Sequence, residues 1–188
     1  MKSVFQPLCW VIVLVALYFS GVLNYASSLA QGAVMHSGLV DASPDALNNE
    51  AFDFNFTIKD QAGNRIDFNT YKGKVVFLNL WATWCAPCRS EMPAIQKLYD
   101  ELEKDKVSFV MLSLDKDSYL EKVNSFVKKH SFSFPVFMPS GYLSDQLQVP
   151  SIPTTFVIDR EGKIVFKEIG MKNYHTLKFK KFLNELAN

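Results

Sequence analysis

Val75 to Trp81 (VVFLNLW) is an apolar run of strand length, interrupted only at Asn79. A strand apolar on both faces belongs in the middle of a sheet that is covered on both sides. Shortly after it come Trp84-Cys85-Ala86-Pro87-Cys88 and then Arg89-Ser90-Glu91-Met92-Pro93, and from Pro87 onward the pattern turns helical. The cysteines therefore sit at a strand-to-helix junction, with Cys85 near the helix N-terminus. Unpaired backbone N–H groups and the helix dipole favour a thiolate there over a thiol. The effect can lower a free thiol's pKa from about 8.5 to roughly 7 or below.

Cysteines at this spacing close a disulfide, hold half of a metal site or carry haem. A tetrahedral metal site needs a second pair of ligands, and the remaining cysteine, Cys9, lies far away in an apolar segment. Haem attachment requires His where this chain has Arg89. A structural disulfide spanning two residues restrains almost nothing in the unfolded chain. Redox chemistry is the remaining reading, with no metal and no other cofactor. The formal net charge of +1 gives no reason to expect nucleic acid as a partner.

The N-terminus stands apart. Lys2 precedes an uncharged run from Leu8 to Leu23, and no further charge appears before Asp41. Such a run directs export across a membrane. At about sixteen residues it falls between a signal-peptide core and a comfortable membrane span of roughly 20. Ser28-Leu29-Ala30 offers small residues suited to cleavage, whereas Tyr25, Ala26 and Leu29 lengthen the span. The expected organisation is an anchor or signal over residues 1–26, a flexible tether over 27–50 and a folded domain over 51–188. The domain then lies on the outer face of the cytoplasmic membrane, or free in the periplasm if the segment is removed. Cys9 reads as an inert buried thiol.

Within the domain, Phe52, Phe54, Phe56 and Ile58 alternate with polar residues, which predicts a half-buried strand. Asp60 to Asn64 is turn chemistry, and Arg65 to Phe68 reads as the return strand of a hairpin. The helix after the cysteines is expected to reach about Lys104, kinked at Pro93. Strands follow at Val107–Leu114 and Phe134–Met138, with a helix between them over Ser118–His130 and a short one over Tyr142–Leu147. A last hairpin turns at Asp159–Lys163. A final helix from about Tyr174 to Ala187 is expected to bury Leu177, Phe182, Leu183 and Leu186. Strands alternating with helices, then a hairpin and a helix, imply an α/β sandwich with a mixed sheet.

Several motifs together carry a resemblance: Lys72-Gly73-Lys74, Asn79 through Cys88, Glu91, Pro93 and Pro153-Thr154-Thr155-Phe156. From about Phe52 to Leu186 the chain resembles the thioredoxin-like superfamily, and within it the TlpA/ResA-type membrane-tethered thiol–disulfide oxidoreductases. The resemblance implies an α/β thioredoxin-like fold, a central mixed sheet flanked by helices, with an N-terminal β-hairpin and a helical insertion between core strands. It implies that Cys85 is the exposed nucleophile, that Cys88 resolves the mixed disulfide and that Pro153 is cis and faces the pair. Thioredoxin itself has a buried Asp where this chain has Asn79, which cannot accept a proton. The TlpA/ResA type has instead a Glu one turn beyond the second cysteine, matched by Glu91, which shares a helix face with Cys88. Glu91 is therefore expected to govern the thiol protonation states.

The implied activity is reversible thiol–disulfide exchange, by a protein-disulfide reductase or oxidoreductase. Trp84, Ile152 and Pro153 are expected to form an apolar platform for an extended substrate segment, paired through the backbone of Ile152 and Thr154. Trp81 is expected in the core. Ala86-Pro87 puts no cation between the cysteines, so nothing makes the reduced form exceptionally stable, and a reductant is favoured. The resemblance implies a CcdA/DsbD-type membrane reductase as electron donor and disulfide-bearing exported proteins as substrates. Apocytochrome c, during cytochrome c maturation, is the best-precedented acceptor. The alternative is a general disulfide oxidase or isomerase of secreted proteins. A peroxiredoxin would need a Pro-x-x-x-Thr-x-x-Cys setting, and a copper chaperone cysteines three apart; neither pattern is present.

Overall fold

The computed structural model describes residues 10, 11, 13, 15, 16, 30, 31, 33–35, 37–44 and 49–188. Most of the expected membrane segment, Cys9 included, lies outside the described residues. Among the described residues, no helix is long and apolar enough to cross a membrane.

The elements in chain order are β1 Glu50–Ala51, β2 Thr57–Lys59, β3 Arg65–Asp67, β4 Val75–Trp81, α1 Ala86–Glu101 and β5 Val107–Ser113. They continue with α2 Leu120–Lys129, β6 Val136–Pro139, β7 Thr154–Ile158, β8 Lys163–Ile169 and α3 Leu177–Ala187. The strands form one mixed sheet in the order β1-β8-β7-β4-β5-β6-β2-β3. As a run apolar on both faces requires, β4 is central and buried at every residue, parallel to β5 and antiparallel to β7. The expected hairpin β2–β3 joins the sheet through β6, and α2 is the helix inserted between parallel strands β5 and β6.

Alternation along β4 divides the core in two. Val75, Phe77 and Trp81 face the helices, where they pack with Met92, Ile95, Leu98, Phe179 and Leu183. Val76, Leu78 and Leu80 face the other way, into Phe52, Phe54, Phe56 and Phe68. In that second layer Phe56 stacks on Phe68 at 4.3 Å between ring centroids. Each such side chain contributes about 1.5–3 kcal/mol when removed from water. The same period of two puts Asn79 on the helix side, beneath α1. That placement decides the chemistry of the site.

Three expectations needed correction. Phe52–Ile58 has the burial alternation of a strand, but only Thr57–Lys59 is paired as one. Upstream of it no ladder forms: Phe56 N–H bonds Phe54 O and Asn55 N–H bonds Asp53 Oδ1, while Phe52 N–H and Asp53 N–H reach single acceptors, Gly162 O and Gln146 Oε1. The first long helix stops at Glu101, because Leu102 turns extended while its N–H still bonds Leu98 O; Pro93 is held within it. The final helix starts at Leu177, capped by Thr176, whose hydroxyl accepts from Phe179 N–H. Leu177 is thereby turned outward, 89% exposed, and Phe179 takes the buried position.

Candidate active site

Cys85 is the N-cap of α1. Its backbone is still extended, its Sγ accepts the Cys88 N–H at 3.2 Å, and Pro87 opens the first turn without needing a backbone donor. Cys85 and Cys88 are joined by a disulfide across a Cα–Cα distance of 5.3 Å. The resemblance implied an exposed first cysteine. In this oxidised state Cys85 is only 5% exposed, because its sulfur is tucked 3.7 Å from the Ile152 carbonyl oxygen. Cys88 is fully buried. The Ile152–Pro153 peptide bond is cis, as expected.

The four residues expected at the substrate platform divide. Trp84 is 64% exposed and Ile152 half-buried beside Cys85, so these two offer apolar surface. Pro153 is buried, and its carbonyl accepts from Gly170 N–H at 2.8 Å. Thr154 is buried too, paired in the sheet with Leu80 and Ile169, its hydroxyl donating to Ser151 O. Trp81 is in the core, its ring packed on Phe126.

Glu91 is fully buried one turn beyond Cys88. Oε1 accepts from Asn79 Nδ2 at 2.8 Å, and Oε2 accepts from the Lys172 N–H at 3.1 Å. Burial pushes its carboxyl up to about 8, against the opposing pull of the Lys172 and Asn79 hydrogen bonds. Asn79 lies in register with Thr155 of β7, and its Nδ2 also reaches Thr155 Oγ1 at 2.9 Å. The Tyr174 phenol lies on the same side, fully buried and raised well above its ordinary value by burial and then by the charge of Glu91. Among the described residues, Asn79 Oδ1 and Tyr174 OH have no well-formed hydrogen bond. The arrangement sets a buried carboxyl with a raised pKa on the helix face that also carries Cys88.

One further residue, Asp115, holds the loop that carries the cysteines. Asp115 follows β5 and is buried; its Oδ2 accepts from Thr83 N–H and Ser113 Oγ, and its Oδ1 from Thr83 Oγ1, all at 2.7 Å. A carboxylate just past the C-terminal end of a buried strand was the available signal, since sites in α/β sheets gather at that edge. Asp115→Ala leaves three buried donors without their acceptor and should cost about 3 kcal/mol. A urea-unfolding midpoint checks it; an unchanged midpoint refutes the assignment. Among the described residues, no cluster of three or more His, Cys, Asp or Glu side chains is placed to hold a metal ion.

A mixed sheet with a Cys-x-x-Cys disulfide capping the helix after its central strand, and a cis-proline alongside, defines a class: the thioredoxin-like thiol–disulfide oxidoreductases. Comparison with known proteins agrees. Residues 47–167, well over half of the chain, match the AhpC/TSA family. Over 156 residues the chain is 34% identical to the thiol-disulfide oxidoreductase ResA of Bacillus thuringiensis (strain Al Hakam), spanning 82% of this chain and 88% of that one. Over 117 residues it is 40% identical to a ResA of Bacillus cereus, spanning 62% and 66% respectively. The crystal structure of StoA from Bacillus subtilis aligns at a TM-score of 0.55 and 28% identity, over 71% of this chain and 96% of that one. The chain belongs to the AhpC/TSA family, as a thioredoxin-like thiol–disulfide oxidoreductase similar to ResA.

Proposed function

We propose that this protein reduces disulfides of exported proteins at the outer face of the cytoplasmic membrane, held there by its N-terminal segment. The observation that carries the reading is the Cys85–Cys88 disulfide at the N-cap of α1, with the buried Glu91 one turn further on. In the reduced enzyme the Cys85 thiolate, favoured by the helix N-terminus, attacks a substrate disulfide. A Cys85–substrate bond forms and one substrate thiolate leaves. Cys88 then loses its proton to the Glu91 carboxylate and attacks Cys85 Sγ, which reforms the enzyme disulfide and expels the second thiolate. Two electrons pass from enzyme to substrate, and the expelled thiolates take up protons. Trp84 and Ile152 receive the substrate segment, and the Ile152 carbonyl orients it. The oxidised enzyme is returned to the dithiol by a membrane-embedded dithiol reductase of the CcdA/DsbD type.

The uncharged run after Lys2 supports export, and the lack of any cation between the cysteines supports the reducing direction. Apocytochrome c, whose haem-attachment cysteines have to be reduced, is the substrate this reading favours. Cys88→Ser halts the reaction at the mixed disulfide. Expressed in its own host, this variant should stay linked through Cys85 to cytochrome c precursors. Recovery of a broad set of secreted proteins would instead point to general oxidation or isomerisation.

A further inference from the structure

Glu91 is held from two sides, by a side-chain amide from β4 and by one backbone N–H from Lys172. The second donor is only as well placed as the Gly170–Asn173 loop that carries it. One end of that loop is tied to the active-site proline through Gly170 N–H and Pro153 O. The other end is tied to residues far upstream. Asn173 N–H donates to Val40 O at 2.8 Å, Ala42 N–H donates to Asn173 O at 3.0 Å, and Asn173 Nδ2 donates to Asp41 Oδ1 at 2.9 Å. These contacts make a parallel bridge between Asp41 and Asn173, and Ala42 is buried beneath it at 2% exposure. Asn173 Oδ1 also accepts from His175 N–H at 3.1 Å.

Asn173 thus stands between the two residues that act on Glu91, Lys172 through its N–H and Tyr174 through its buried phenol. Further upstream, Gln31 Oε1 accepts from the Ser90 hydroxyl, on the residue before Glu91. We propose that Asn173 is a positioning residue, and that docking of Val40–Ala42 onto it fixes the Lys172 N–H against Glu91. The link between N-terminal segment and domain is thereby read at the active site. The proposal rests on the role given to Glu91 above. The groups facing Glu91 are few: Tyr174 and Lys172 from this loop, Cys88 from α1, and the uncharged Asn79 and Thr155 from the sheet. The Lys172 ammonium is itself paired with Glu168 at 3.3 Å.

Loosening the loop weakens a hydrogen bond to the carboxylate form, so Glu91 should hold its proton to higher pH. A hydrogen bond to a buried charge corresponds to about one pH unit. The test is a carboxyl titration by ¹³C NMR of the oxidised full-length protein in detergent, where neither Cys85 nor Cys88 titrates, with the Glu91 signal assigned by its loss in Glu91→Gln. Asn173→Ala, and Ala42→Asp, which sets a charge where the buried methyl docks, should each raise the Glu91 midpoint by about one unit. Leu147→Ala, a cavity on the opposite sheet face, should leave it in place however much stability it costs. Midpoints in Asn173→Ala and Ala42→Asp that match wild type, or an equal shift in Leu147→Ala, overturn the positioning role. A wild-type Glu91 with an ordinary carboxylate midpoint overturns instead the role of Glu91 on which the proposal rests.

Discussion

Glu91→Gln should make the oxidised protein progressively more stable relative to wild type as pH rises from about 4.5 to about 8. The sign follows from proton binding. The unfolded glutamate ionises near 4.5 and the folded one near 8, so between these values the folded state carries the extra proton. Wild-type stability therefore falls with rising pH across that window and levels off above it. Below about 4.5 both states are protonated and the group has no pH-dependent effect. The slope is at most about 1.4 kcal/mol per pH unit, and the accumulated difference about 4 kcal/mol at pH 8. Glutamine keeps the shape without the ionisation. Its amide also has a ready acceptor, because Asn79 Oδ1 is otherwise without a partner among the described residues. Urea unfolding of both proteins from pH 5 to 8.5, disulfide intact, checks this. Parallel stability curves would mean that Glu91 is not the buried, raised carboxyl described here.

Cys85→Ser should lower disulfide-exchange activity to the uncatalysed background at every pH, because Cys88, the other sulfur of the pair, is fully buried and cannot meet a substrate disulfide. Cys88→Ser should retain the first attack but not turnover, accumulating one mixed disulfide per chain. Cys9→Ser should leave the rate unchanged. The asymmetry comes from position along α1. Cys85, at the N-cap, is where the dipole and the unpaired amides act most strongly, whereas Cys88 is inside the first turn and buried. Turnover of a model protein disulfide with a dithiol regenerant, followed by mass spectrometry of the stalled variant, separates the three outcomes.

Much of this site was legible in the sequence for identifiable reasons. An apolar run on both strand faces has one place in a sheet, and a motif beginning just beyond it has to sit at the sheet's C-terminal edge. The period of two carries Asn79 to the helix side, and the i, i+3 spacing carries Glu91 to the side of Cys88. What stayed hidden depended on contacts between distant segments. The Lys172 donor is a backbone N–H, so no residue type marks it. Its alignment depends on a bridge between Asp41 and Asn173, which are remote in sequence. Apolar content alone could not separate Leu177 from Phe179 in α3; the Thr176 cap fixes the helix phase and decides between them. The alternating phenylalanines predicted burial correctly but not pairing, since Asp53 N–H bonds the Gln146 side chain and Asn55 bonds Asp53, in place of a neighbouring strand.

Asn79 shows how a departure from the thioredoxin pattern acquires meaning from the structure. An aspartate there would set a second carboxyl beside Glu91 in a buried place, and the two would resist ionising together. An amide avoids that conflict. As it stands, it donates to Glu91 Oε1 through Nδ2, a bond that suits the ionised carboxyl. Turned over, it presents Oδ1 to the protonated acid, so one side chain can satisfy both protonation states of the carboxyl.

The central claim is that Cys85 attacks and that Glu91 sets the protonation of the pair. Site-resolved alkylation of the reduced protein by limiting iodoacetamide, followed by peptide mapping from pH 5 to 9, tests it most directly. The expected result is label on Cys85 ahead of Cys88 throughout, with a wild-type pH profile that needs two coupled ionisations and a Glu91→Gln profile that needs one. Label appearing first on Cys88, or superposable profiles for the two proteins, would contradict the account.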